Sequence, residues 1–208
     1  YGKINNWYVS QVTDMNSLFA VRLWDPEYDE YHSSNYSNDT SSYEYNEDDT
    51  SYLRNFNEDI LKWNVSQVTD MECMFCDANS FNQPLNNWNV SNVKNMSYMF
   101  SKTESFNQPL DNWNVSNVTD MESMFNGATK FNQPLNNWNV SQVRDMESMF
   151  GSALHFNQPL NNWDVSNVTS MNSMFMKAIV FNQPLNNWDV SNVILMSNMF
   201  QYADSFNQ

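Results

Sequence analysis

Residues 81–105 read FNQPLNNWNVSNVKNMSYMFSKTES, and near-copies of this stretch begin at residues 106, 131, 156 and 181. A looser copy begins at Phe56, an earlier fragment begins at Ile4, and the chain ends three residues into one more copy. A unit of this size cannot bury its own apolar face, so a period of 25 residues predicts an array of stacked units. The predicted units are 4–19, 56–80, 81–105, 106–130, 131–155, 156–180 and 181–205, followed by a truncated unit, and they form one domain over 1–208.

Each unit combines two spacings of apolar residues. Trp88 and Val90 lie two residues apart, which places both side chains on one face of an extended strand. From Val93 to Phe100 the apolar residues fall at i, i+3, i+6 and i+7, a spacing typical of a short helix. The sequence therefore predicts an α/β solenoid, with a parallel sheet on one face, short helices on the other, and the tryptophan column in the core.

The positions between the inward residues of the strand form a polar row. Its members recur once in each unit, and they are Asn64, Asn89, Asn114, Asn139, Asp164 and Asp189. One interpretation is a flat strip that hydrogen-bonds a protein or a glycan. The alternative is a ladder of polar side chains that binds nothing and merely suits a regular sheet.

Residues 20–55 interrupt the first connection with an acidic insertion that is rich in tyrosine and serine. Its tyrosines include Tyr28, Tyr31, Tyr36, Tyr43 and Tyr45. Because tyrosine is favoured at binding surfaces, the insertion is a second candidate surface, suited to a basic partner or a cation. The alternative is a solvated surface loop that the array tolerates at little cost.

The formal net charge of −15 excludes some classes of partner. This charge repels phosphate backbones and anionic lipid surfaces, so neither nucleic acid nor a membrane is expected as a partner. No apolar run is long enough to cross a bilayer. We also find no set of nucleophile, base and orienting group, and no phosphate-binding glycine loop, so we expect no enzyme activity and no cofactor.

Two residue pairs raise the question of a metal site. Asp164 and Asp189 are expected to be neighbours, but calcium needs six to eight converging oxygens and the sequence has no EF-hand loop. Cys73 and Cys76 form a CxxC motif, but structural zinc needs a second such pair or a histidine pair. We therefore predict no metal ion and interpret the cysteines as two free thiols on a surface turn.

The motif LxxWxV followed by VxxMxxMF is similar to leucine-rich repeats, and residues 106–125 read FNQPLDNWNVSNVTDMESMF. This sequence resembles the mycoplasma-type surface-lipoprotein repeat of the BspA-like leucine-rich-repeat family. The resemblance implies a solenoid that interacts with other proteins or with a cell surface. The repeat occurs in bacterial surface proteins and in proteins of large DNA viruses of protists, and the asparagine-rich, glycine-poor composition of this chain fits either source. Of the two we expect a viral member, located at a virion, in an infected host cell or at a cell surface. The sequence lacks a lipobox cysteine, so the resemblance does not extend to membrane anchoring.

Two functional hypotheses follow. The first is a non-catalytic protein that mediates protein–protein interaction, with an unidentified protein as its partner. The alternative is a structural solenoid that associates end to end, because neither end of the array shows the polar capping repeat that isolated solenoids need.

Overall fold

The computed structural model describes residues 3–21 and 51–208. Within these ranges the helices are a 3-10 helix at Ile4–Asn6 and one short α-helix, α1, at Ser51–Arg54. The units themselves consist of tight turns and extended connections, and the described ranges contain no continuous strand.

Backbone hydrogen bonds join each unit to the next in register. Isolated parallel bridges link equivalent positions from one end of the described array to the other: Asp14 to Asp70, Asp70 to Asn95, Asn95 to Asp120, Asp120 to Asp145, Asp145 to Ser170 and Ser170 to Leu195. Beside each bridge, alternate N–H groups donate to the following unit, as when Ser123 donates to the Glu147 carbonyl at 2.7 Å and Phe125 to the Met149 carbonyl at 2.9 Å. The units of 25 residues therefore stack with equivalent positions aligned.

The structure differs from the predicted strand and helix within each unit. In place of a helix, the segment after Val93 forms successive turns, closed by bonds from Met99 N–H to Met96 O and from Thr103 N–H to Phe100 O. Tyr98, at φ 57°, occupies the left-handed region, as the third residue of a type II turn does. An apolar spacing of three fits such turns as well as it fits a helix. The turns also direct alternate N–H groups to the next unit, so inter-unit pairing lies here and not at Trp88 and Val90.

Aromatic columns fill the interior. Phe100 is fully buried, and its ring stacks on Phe106 at 4.1 Å and on Phe125 of the next unit at 5.6 Å between centroids. The predicted tryptophan core is confirmed, because the tryptophans from Trp63 to Trp163 are at most 4% exposed. The indole N–H of Trp138 also donates to the Leu110 carbonyl of the preceding unit at 3.0 Å. Trp113 and Trp163 make the equivalent hydrogen bond, which links two units in each case.

Candidate functional site

The polar row lies on the surface, and we name its six residues the Asx row: Asn64, Asn89, Asn114, Asn139, Asp164 and Asp189. All six are exposed, whereas the tryptophan before each of them and the residue after it are buried in the units up to Val165. Each Oδ1 atom of the row accepts a hydrogen bond from the backbone N–H of the serine two residues later, at 3.0–3.2 Å. The row therefore both closes a local turn and faces solvent.

A second asparagine column has a different role, and we name it the Asn ladder: Asn57, Asn82, Asn107, Asn132, Asn157 and Asn182. Here Oδ1 reaches into the next unit. Oδ1 of Asn132, for example, accepts from the Asn157 backbone N–H at 3.0 Å and from Nε2 of Gln158 at 3.0 Å. The side-chain amide groups of the Asx row, in contrast, donate to no atom in the described part of the chain. The Asn ladder is used in contacts within the fold, whereas the four asparagines of the Asx row keep their amide donors available for a ligand.

A shallow groove of about 560 Å³ borders the end of the Asx row that carries aspartates. Asn161, Asp164, Asn187 and Asp189 are among the residues that line it. Hydrogen bonds from the hydroxyl and backbone N–H of Ser166 lower the pKa of Asp164, and those of Ser191 lower the pKa of Asp189. Both carboxylates are therefore charged at neutral pH. Acid–base catalysis needs two carboxyls with opposite tendencies, and this pair does not supply them.

A second set of acidic residues, which sequence reasoning did not identify, lies at the inter-unit bridges and two residues after them. We name it the carboxylate columns, and its members are Asp14, Asp70, Asp120, Asp145, Glu72, Glu122 and Glu147. Burial raises the pKa of Glu72, Asp120, Glu122 and Asp145, and repulsion from other carboxylates of the columns raises it further. The repeated motif Asp-Met-Glu, at the same position of three units, is the sequence signal that could have revealed these columns.

The carboxylate columns predict a pH dependence of stability. A carboxyl whose pKa is raised on folding binds more protons in the folded state. Its stabilising contribution is complete below the unfolded pKa, near 4, and is lost as pH rises through the raised folded pKa. We therefore expect the free energy of unfolding, measured by urea denaturation, to increase as pH falls from 7 towards 5.

Combined substitution Asp120→Asn and Asp145→Asn is expected to stabilise the protein at pH 7 by a few tenths to about 1 kcal/mol, because the groups are partly solvated. It is also expected to flatten the pH dependence. Asn95 already occupies the same column, and its Oδ1 accepts from Ser97 N–H at 3.0 Å, so asparagine fits this position. Substituting Asp164 and Asp189 by asparagine is the matched control, and an equal flattening in that variant would contradict the prediction.

The remaining predicted residues fall into two groups. Tyr28, Tyr31, Tyr36, Tyr43 and Tyr45 lie outside the described residues, as does most of the insertion. Cys73 and Cys76 are both free and half-buried, and they begin and end a turn, which confirms the interpretation as free thiols on a turn.

Residues 3–21 and 51–208 contain neither a membrane-spanning helix nor a metal-binding cluster. Neither described helix has the length and apolarity that a membrane span requires. No group of three or more His, Cys, Asp or Glu side chains in those ranges is arranged to hold a metal ion.

Comparison with known proteins places the chain in one family. Residues 1–48, 39–134 and 109–208 match the family described as Mycoplasma protein of unknown function, DUF285, and the chain belongs to it. No curated protein matches the chain. No solved structure matches it either. The resemblance to a mycoplasma-type repeat family is thereby confirmed, whereas the leucine-rich-repeat grouping and the viral origin stay predictions.

Proposed function

We propose that this family member is a non-catalytic binding protein that recognises a protein partner through the Asx row. One observation carries the proposal: among the asparagine columns that repeat with this period, the Asn ladder is consumed by inter-unit hydrogen bonds, whereas the side-chain amides of the Asx row are not. The asparagines of the Asx row keep exposed amide donors, and the row ends in two aspartates that line a groove. A surface of this kind suits the polar contacts by which proteins recognise one another.

Charge favours a basic partner. The Asx row ends in the two charged carboxylates Asp164 and Asp189, and the whole chain carries a formal net charge of −15. Complementary charge speeds association and excludes acidic competitors more than it adds affinity. A basic protein surface that contacts both the amides and the terminal aspartates would use the entire row.

We further propose that the stacked units form a leucine-rich-repeat-like solenoid of viral origin that acts at a virion or cell surface. The repeat sequence supports this part of the proposal, and the asparagine-rich composition is compatible with it. In the described units, turns occupy the position of the predicted helices, so such a solenoid would have no helical face there.

The test removes three of the four amide donors of the Asx row without removing the turn acceptors. In a triple variant, serine replaces Asn89, Asn114 and Asn139, and its hydroxyl can still accept from the backbone two residues on. A control variant carries Lys102→Ser and Lys177→Ser, exposed positions of another column where serine occurs naturally at Ser152.

Partners are captured on the wild-type chain, identified by mass spectrometry and purified, and their affinity for all three chains is then measured by calorimetry. We expect the triple variant to bind at least about ten times more weakly, a loss of about 1.4 kcal/mol, and the control to bind like wild type. Equal affinity for the triple variant and the wild type would overturn the proposal, as would a capture that yields nothing.

End-to-end association is a second candidate function, and a specific departure from the repeat favours it. Ile194 and Leu195 are 80% and 49% exposed. The equivalent positions of the unit 81–105 hold the polar residues Lys94 and Asn95. Beside this apolar pair, Val190 and Met196 are also exposed, although their equivalents in the inner units are buried. This apolar edge is suited to pack against one further unit, whether that unit comes from the same polypeptide or from a second copy.

Replacing Ile194 by lysine and Leu195 by asparagine introduces the residues found at the equivalent positions 94 and 95, so the turn should be preserved. Light scattering over a wide range of concentrations is expected to detect oligomers of the wild-type chain, and monomers of the variant. A wild-type chain that stays monomeric throughout would exclude association through this edge.

A further inference from the structure

Cys73 and Cys76 are the first and last residues of one tight turn. The turn is closed by a hydrogen bond of 3.1 Å from Cys76 N–H to the Cys73 carbonyl. Such a turn holds its first and last Cα atoms within about 7 Å, and a disulfide requires a Cα separation of about 4.4–6.8 Å. The backbone therefore already brings the two residues within the range of a disulfide bond.

The pair is individual to one unit of an otherwise uniform array. The equivalent positions hold Ser123 and Asn126 in one unit, and Ser148 and Gly151 in the next. No other unit carries a cysteine, because the chain contains two in total. The pair also lies beside the start of the insertion, since Val21 N–H donates to the Cys76 carbonyl at 2.9 Å.

The surroundings make the two thiols unequal. A hydrogen bond from the Cys76 thiol lowers the pKa of Cys73, and donating that bond raises the pKa of Cys76. The Cys76 sulfur also lies 3.9 Å from a carboxylate oxygen of Asp77, whose negative charge opposes ionisation of this thiol. Since the thiolate is the attacking species in disulfide exchange, Cys73 is the nucleophile of the pair and Cys76 the resolving thiol.

We propose that Cys73 and Cys76 form a reversible dithiol–disulfide site that exchanges with small disulfides such as oxidised glutathione. The Cys73 thiolate attacks one sulfur of the small disulfide, forms a mixed disulfide and releases one thiolate. Cys76 then loses its proton to solvent and attacks the Cys73 sulfur, which releases the second thiolate. The protein dithiol is oxidised to a disulfide, and one small disulfide is reduced to two thiols.

The test uses the reduced 208-residue chain, oxidised glutathione, rapid alkylation and intact-mass analysis. We expect the wild-type chain to lose two hydrogens, to carry no glutathione and to show no disulfide-linked dimer on a denaturing, non-reducing gel. The Cys76→Ser variant is expected to keep one glutathione on Cys73, because the resolving thiol is absent. Serine occupies the equivalent site at Ser101, so this variant should fold.

A control variant tests whether the result depends on the turn or only on the presence of two thiols in the chain. It combines Cys76→Ser with Asn126→Cys, which places the second thiol two units away, and it should take up two glutathiones. The proposal is overturned if the wild-type chain also accumulates two glutathiones, if it forms dimers linked by disulfides, or if it stays reduced in oxidised glutathione.

Discussion

Replacing Phe150 by alanine is expected to lower the free energy of unfolding by about 3–5 kcal/mol, the range for truncating a fully buried phenylalanine. Phe150 is fully buried, and its ring lies 4.0 Å from that of Phe156 and 5.6–5.8 Å from those of Phe125 and Phe175, between centroids. The truncation would therefore remove ring contacts with both neighbouring units. Because stacked repeats are stabilised by nearest-neighbour contacts, we also expect a broader unfolding transition in urea.

The equivalent substitution Phe200→Ala is the control. Phe200 is half-buried and stacks on Phe175 at 5.6 Å and on Phe206 of the truncated unit at 4.0 Å. In the described residues it lacks the contact that Phe150 makes with Phe175, the equivalent phenylalanine of the next unit. Its truncation should cost clearly less than that of Phe150. Equal losses from the two variants would show that stability does not depend on stacking from unit to unit.

Replacing Asn132 by alanine is expected to lower the free energy of unfolding by about 1–3 kcal/mol, the cost of leaving a partly buried donor without an acceptor. The substitution removes the oxygen that accepts from Asn157 N–H and from Gln158 Nε2. Asn132→Asp keeps an acceptor at the same place and should lose much less. Thermal unfolding of the two variants decides the question, and a similar loss in both would contradict the structural role of the Asn ladder.

The repeat period and the tryptophan core could be predicted from the sequence, because they depend on periodicity and on alternation around residues such as Trp88. The conformation of the segment after Val93 could not. Its apolar residues recur at a spacing of three, which suits a short helix and a run of tight turns equally. The turns differ from a helix in the left-handed φ of Tyr98 and Lys102. Tyrosine and lysine do not indicate that conformation in a sequence, whereas glycine does.

The candidate site was predictable to a similar degree. Alternation along Trp88, Asn89 and Val90 placed the Asx row on the surface, and the structure has it there. The sequence could not separate Asn89 from Asn82, because both recur with the same period and both are asparagine. Only the hydrogen bonds show that Asn82 accepts from the next unit whereas Asn89 accepts from its own turn.

The central claim is that successive units stack in register through backbone hydrogen bonds between them, and leave the Asx row free on the surface. Scalar couplings across hydrogen bonds, measured by NMR, test it most directly because they identify the acceptor of each N–H group. We expect the Phe125 amide nitrogen to couple to the carbonyl carbon of Met149, and that of Ser123 to Glu147. Coupling of the Phe125 nitrogen to the Met121 carbonyl, its partner in an α-helix, would contradict the account.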